Sequence, residues 1–218
     1  MEVIDNVPLL GHAGILIAGP SNTGKSYTCM KILANRDTLF ANPPHRVMYN
    51  YNIYQEELFG EMERVCPNIT FHKGLPSEED ILTFTAPKDP TIIVIDDLCD
   101  RACKSNVIEN LYTQFCHHRN SIPILISHNV FTQSKQFRVI SLNTKYFFIF
   151  PSPRDSGQIN VLAKQMFARN PKSLTDAYAD ICKVKYGYLL VNASHDVPRD
   201  DLRIYTDIFS GTPTVYRS

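Results

Sequence analysis

The chain has no excess of charge of either sign. Over 218 residues, 22 lysines and arginines balance 22 aspartates and glutamates, for a formal net charge of zero. That excludes a strongly basic domain whose whole surface grips nucleic acid, so any DNA contact has to come from a local patch or from assembled copies. Long apolar runs are also missing. "TIIVID" and "YFFIF" have the length of strands, far short of the roughly 20 residues that span a bilayer. The acidic opening "MEVIDNVPLL" has no basic flank ahead of an apolar core, unlike a secretory signal. No internal repeat, low-complexity tract or long linker divides the chain, and its length suits one full-sized core, so residues 1–218 read as a single domain. The cysteines, at 29, 66, 99, 103, 116 and 182, are scattered rather than framed for disulfides, which favours reduced thiols. A zinc site from Cys99, Cys103, His117 and His118 is the competing reading, although Cys-x3-Cys is not a diagnostic spacing.

What is present is a globular balance of 44% apolar and 20% charged residues, with too many aromatics for a disordered chain. Five short apolar runs, "GILIAG" (14–19), "RVMYNY" (46–51), "TIIVIDD" (91–97), "IPILISH" (122–128) and "YFFIF" (146–150), predict strands buried on both faces. Helical patterns separate them, at Lys25 to Asn35, Gln55 to Val65, "SEEDILTF" with Ser77 and Asp80 as an acid-variant capping box, and Ser105 to His117. Two more follow, at "QINVLAKQMF" (158–167) and "LTDAYADICKV" (174–184). The order predicts an α/β fold with a mostly parallel central sheet flanked by helices. "YGYLLVN" (186–192) and "LRIYTDIF" (202–209) predict a C-terminal hairpin or an extension of that sheet.

"GPSNTGKS" satisfies G-x-x-x-x-G-K-S/T between the first strand and a helix, the setting of a phosphate-binding loop. Successive backbone N–H groups from Gly19 through Pro20, Ser21, Asn22, Thr23 and Gly24 to Lys25, Ser26 and Tyr27 curl around phosphate oxygens, helped by the positive end of the following helix. Lys25 reaches the β- and γ-phosphates of ATP and Ser26 offers its hydroxyl to Mg²⁺. Downstream, "TIIVIDDLCD" ends an apolar strand in two acids. Asp96 is the candidate that orients Mg²⁺. Asp97 stands where many ATPases carry a glutamate that positions the attacking water, its competing role being to cap the next helix. The guanine-reading N-K-x-D motif is missing, which argues against a GTPase. No compact arginine-rich lid is present, which argues against a small-molecule kinase, the second enzyme class that shares this loop.

The run "FCHHRNSIPILISHNVFTQSKQFRVISLNTKYFFIFPSPRDSGQINVLAKQMF" (115–167), with "FHKGLP" (71–76), "VIDDL" (94–98) and "YGYLLVN" (186–192), resembles the poxvirus-type genome-packaging ATPases of the FtsK/HerA superfamily. Similar proteins occur in large DNA viruses, virophages and Maverick/Polinton elements. The resemblance extends from about residue 12 to 209, and its specific part is the order HHRN, SHN-x-F, SLN-x-x-Y, PRD. It implies a RecA-like sheet and a homo-oligomeric ring that uses ATP to push double-stranded DNA into a preformed viral capsid. It further implies work inside the host cell, in the nucleus or a cytoplasmic factory, beside a capsid or vertex protein.

By the same resemblance, Arg119 is the candidate arginine finger that enters a neighbour's nucleotide, with Arg154 of "PSPRD" as the second candidate and a surface salt bridge as the alternative. His128 takes the place of the superfamily's usual glutamine sensor, with Asn129 beside it. A satisfied core histidine is the competing reading. His117 and His118 read as packing or subunit-contact residues. Lys135 and Arg138, in "TQSKQFR", are the candidate contacts to DNA phosphates, against an exposed basic loop without a partner. The shortened acid Asp97 and the replaced sensor His128 also admit a nucleotide-binding assembly switch without steady turnover.

Overall fold

A computed structural model describes residues 2–3, 9, 11–154, 156–197 and 201–217. Most of the opening decapeptide, Asp155 of the PRD run and the 198–200 part of the polar turn before "LRIYTDIF" lie outside the described residues. Among the described residues there are ten strands: β1 (Glu2–Val3), β2 (Gly14–Ala18), β3 (Arg46–Tyr51), β4 (Ile69–Lys73), β5 (Thr91–Ile95), β6 (Ser121–Ser127), β7 (Thr144–Ile149), β8 (Leu189–Asn192), β9 (Ile204–Thr206) and β10 (Thr214–Tyr216). All belong to one sheet, in the order β1-β10-β9-β8-β7-β2-β6-β5-β3-β4. From β7 to β4 the pairings are parallel, and from β7 outward to β1 they are antiparallel.

The helices are α1 (Lys25–Ala34), α2 (Arg36–Leu39), α3 (Glu56–Val65), α4 (Glu78–Phe84), α5 (Cys99–Ala102), α6 (Asn106–Asn110), α7 (Cys116–His118), α8 (Lys135–Asn143), α9 (Ser156–Met166) and α10 (Lys172–Ile181). They cover both faces of the sheet and make two apolar layers. Leu16, Ile93, Ile95, Leu125 and Phe147 face one layer; Ile15, Ile17, Val94, Ile124 and Phe148 face the other. Alternate residues of one strand thus serve opposite cores, which is why β2, β5 and β6 are mostly apolar and are buried at every position. The capping box at Ser77 and Asp80 forms as expected, with each side chain accepting from the other residue's backbone N–H.

The structure departs from the sequence reading in four places. "ITFHK" forms an additional strand, β4, at the edge of the sheet, where partial burial leaves no continuous apolar run. The helix expected over 105–117 is interrupted by a π turn at Leu111–Phe115. That turn lays Tyr112 against β2, where its hydroxyl donates to the Ile15 carbonyl at 2.8 Å. A Cβ on Gly14 would stand 2.6 Å from the same ring, so only glycine fits there. "KQFRVISLN" is helix α8 rather than a loop, capped by the Ser134 hydroxyl. Finally, β8 and β9 do pair as a hairpin, but β10 and β1 carry the antiparallel extension two strands further.

Candidate functional site

In parallel strands that point the same way, loops leaving the C-terminal tips gather at one edge of the sheet, the usual place for a ligand crevice. The phosphate-binding loop leaves β2 at this edge, "DDL" leaves β5 and "HNV" leaves β6. They line a cleft of about 640 Å³ together with Asn52 and Gln55 from beyond β3 and Arg101 from α5. The two motifs that the sequence separates by 70 positions meet directly: the Ser26 hydroxyl donates to Asp96 Oδ2 at 2.9 Å.

The loop itself is shaped by two residues with left-handed backbone, Asn22 at φ 61° and Gly24 at φ 98°. Alternation of this kind turns successive N–H groups toward one concave face, an anion cradle. Gly24 ends the loop as the N-cap of α1, with no side-chain cap on the helix. The first-turn N–H groups are therefore not claimed by a side-chain cap and lie where a phosphate would take them. The glycine at 19 has a different cause, since a Cβ there would lie 2.5 Å from the Phe150 Cβ. Lys25 bends back and donates from Nζ to the Pro20 carbonyl at 2.6 Å, and Thr23 donates to the same oxygen at 2.8 Å. Burial lowers the Lys25 ammonium from its ordinary value, opposed by the Asp96 and Asp97 carboxylates.

Asp96 is buried at the tip of β5. Burial pushes its carboxyl up, while hydrogen bonds from Tyr49 and Ser26 hold it down. The Tyr49 bond is short, 2.6 Å from hydroxyl to Oδ2. Tyr49 sits in β3, fixed edge-on against Phe59 and Phe71. Its position in an apolar strand hid this role from the sequence, and nothing in the motif spacing points to it. Ser26 and Asp96 together present hard oxygen donors, the chemistry Mg²⁺ requires, so the residues fit that ion. Asp97 is exposed into the cleft at φ 56°, a left-handed position. It does not cap α5, whose N-cap is Leu98 and which has no side-chain cap bond. The capping alternative for Asp97 is thereby removed.

His128 is exposed at the tip of β6 and lines the cleft, so it is not a core histidine. Asn129 is oriented through its backbone, which both donates to and accepts from the Ser127 hydroxyl. Arg101 and the pair Asn52 and Gln55 line the cleft without having been singled out in the sequence. All three lie outside the recognised motifs, and only the fold gathers them.

The arginine candidates lie elsewhere. Arg119 precedes β6, at the N-terminal edge of the parallel strands, opposite the phosphate-binding loop. Its guanidinium caps the C-terminus of α4, Nη2 donating to the carbonyls of Leu82 (2.6 Å) and Thr85 (2.5 Å) and Nε to the Thr85 hydroxyl (3.2 Å). A cation there also meets the negative end of the helix. The surface salt bridge expected as the alternative is replaced by this cap. Arg154 is exposed just beyond β7, on the same edge as the phosphate-binding loop. Lys135 and Arg138 are exposed and share one face of α8 by their i, i+3 spacing.

Among the described residues, no three histidines, cysteines, aspartates or glutamates converge as a metal cluster. Cys99 and Cys103 lie with their sulfurs 3.3 Å apart, and the His117 ring faces His12 instead. No helix among the described residues is long and apolar enough to cross a membrane.

No protein-family model and no curated protein matches the sequence. Solved structures do match in shape. One is the genome packaging NTPase B204 from Sulfolobus turreted icosahedral virus 2, in complex with ATP-gammaS, at 10% identity over 95% of this chain and 98% of that one, TM-score 0.49. A second is the KaiC-like protein PH0186 from Pyrococcus horikoshii OT3, at 12% identity over 99% of both chains, TM-score 0.49. A third, an ATPase domain, is 12% identical over 86% of this chain and 79% of its own, TM-score 0.50. With a mostly parallel sheet, a phosphate-binding loop after the central β2 and acids at the tip of β5, the chain has the RecA-like P-loop ATPase fold.

Proposed function

We propose that this chain hydrolyses ATP and couples the hydrolysis to moving double-stranded DNA into a viral or virus-like capsid. The observation that carries the hydrolytic half is the 2.9 Å bond between Ser26 and Asp96, which makes the loop and the acids one site. The triphosphate lies along the residue 19–27 backbone, and Lys25 leaves the Pro20 carbonyl to meet the β- and γ-phosphates. Ser26 and Asp96 would hold Mg²⁺, which would supply positive charge to offset that of the triphosphate. Asp97 accepts a proton from a water that attacks the γ-phosphorus. A new P–O bond forms, the bond to the β,γ-bridging oxygen breaks, and ADP leaves with inorganic phosphate. His128, which is exposed and lines the cleft with the acids, takes the sensor place.

The DNA-packaging half rests on the ordered motifs HHRN, SHN-x-F, SLN-x-x-Y and PRD, together with the exposed Lys135 and Arg138 on one face of α8. In a homo-oligomeric ring, such a face gives a narrow positive lining on a chain of zero net charge. The arginine finger is supplied in trans by Arg154, which is exposed, or by Arg119 after exchange of its bonds to α4. ATP hydrolysis measured with and without double-stranded DNA, across protein concentration, tests the proposal. Turnover that rises cooperatively with protein and with DNA, giving only ADP and phosphate, supports it. Turnover indifferent to both removes the motor, phosphorylation of an added nucleoside substitutes a kinase, and tight binding without turnover substitutes an assembly switch.

A further inference from the structure

The acids fix which way a nucleotide lies. With the γ-phosphate toward Asp96 and Asp97, on the β5–β6 side of the phosphate-binding loop, the sugar and base extend to the other side, toward β7 and β8. Because β8 runs antiparallel to β7, its start lies at the tip of β7, Leu189 opposite Ile149. The antiparallel turn of the sheet therefore brings residues 184–188 to the nucleotide edge. Tyr186 is the residue it delivers: its Cδ1 stands 3.9 Å from where a Cβ on Gly24 would be.

Tyr186 has two properties that packing does not explain. It is 62% exposed, the last residue of an exposed turn (182–186) before the buried Gly187 and Tyr188. It also holds left-handed backbone at φ 59°, an outlier for a bulky side chain, and such outliers persist where the surroundings impose them. The surroundings are rigid. Gly187 donates to the Val184 carbonyl at 3.0 Å and packs so closely on the end of α10 that a Cβ would lie 2.8 Å from the Ile181 carbonyl. The Tyr188 hydroxyl accepts from the Ile208 backbone N–H at 3.1 Å. Lys185 holds its ammonium 5.1 Å from the centre of the Tyr186 ring.

We propose that Tyr186 is the stacking platform for the nucleobase, with Lys185 as the cation beside it. This deepens the nucleotide-hydrolysing reading and rests on it. An aromatic face binds any base by stacking, with larger purines gaining more than pyrimidines. The site thus takes purine nucleoside triphosphates ahead of pyrimidine ones.

The test compares binding of ATP and of inorganic tripolyphosphate by the full chain and by Tyr186→Asn and Tyr186→Phe. Asparagine suits left-handed backbone, so Tyr186→Asn deletes the ring while easing the strain. The expected result is roughly tenfold weaker ATP binding in Tyr186→Asn, the size of one lost stacking contact, with tripolyphosphate binding unchanged, the melting temperature equal or higher, and ATP affinity kept in Tyr186→Phe. Equal ATP affinity in Tyr186→Asn, or equal weakening for both ligands, overturns the platform while leaving the phosphate site intact. A fall in melting temperature without loss of ATP selectivity makes Tyr186 a structural residue and also overturns it. If the unaltered protein binds neither ligand, the nucleotide reading itself fails.

Discussion

On the β5–β6 side of the phosphate-binding loop, Asp96 is buried and tied to its neighbours. Asp96 accepts from Tyr49 and from Ser26, and its own N–H donates to the Asn50 carbonyl at 2.8 Å. On the β7–β8 side, Tyr186 stands in solvent on strained backbone. On the proposed function, the difference follows from what each side would have to do. Charge develops at the γ-phosphate, and groups that stabilise it must be fixed before it appears, because reorienting them during the reaction costs free energy. A buried, mutually bonded carboxylate meets that need at the expense of its own desolvation, which is why burial is the main influence raising its pKa. The base takes no part in bond breaking, so its side needs only a flat surface.

The contrast can be broken or sharpened by substitution. A large effect confined to the rate is expected at Asp97. Replacing it by asparagine, which suits its left-handed backbone, should cut the hydrolysis rate by about 10²–10⁴, the usual worth of a positioned base. Its melting temperature and its ATP affinity should hardly change, as steady-state kinetics with calorimetry would show. An unchanged rate would return Asp97 to a surface role. Next comes Tyr49→Phe, which removes one hydrogen bond to a buried carboxylate, worth about 1.5–3 kcal/mol. Hydrolysis should fall roughly tenfold or more, while nucleotide binding read by fluorescence titration stays near the original value.

Asp96→Asn separates function from stability. Hydrolysis should be lost, but without nucleotide the variant should unfold at a higher denaturant concentration. The expected sign is a gain, because burial disfavours the charge that has been removed. Loss of stability would mean that the hydrogen bonds to the carboxylate outweigh its desolvation. The smallest effect on activity per subunit, and a clear one on the fold, belongs to the opposite edge of the sheet. Arg119→Ala should destabilise the chain by about 1–2 kcal/mol in chemical unfolding, since the α4 carbonyls lose their partner. Arg154→Ala should leave stability unchanged, and a fall in turnover only in the assembled state would assign the finger to Arg154.

Much of this site was legible in the sequence because it is encoded locally. "GPSNTGKS" needs only consecutive residues to make its cradle, and β2, β5 and β6 announce themselves because burial on both faces makes most positions apolar. The features that escaped depend on contacts far apart in the chain or on partial burial. Tyr49 is apolar in pattern but polar in use, and its partner is 47 residues away. β4 is an edge strand without a continuous apolar face. The polar start of "TQSKQFR" suggests a loop for Lys135 and Arg138, whereas the apolar stripe that makes α8 a helix, Phe137 and Ile140, reveals itself only against the core. Arg119 stands out in the sequence by its place just before β6, yet the carbonyls it caps belong to the end of a helix more than 30 residues earlier.

The most direct measurement of the central claim, that the residue 19–27 loop and the acids at the tip of β5 form one hydrolytic site, is steady-state ATP hydrolysis by the assembled protein beside Lys25→Ala. The account predicts release of ADP and phosphate by the unaltered chain and a loss of about a hundredfold or more in the variant, the cost of removing one group that stabilises the transferring phosphoryl charge. Equal turnover in the two proteins would contradict it.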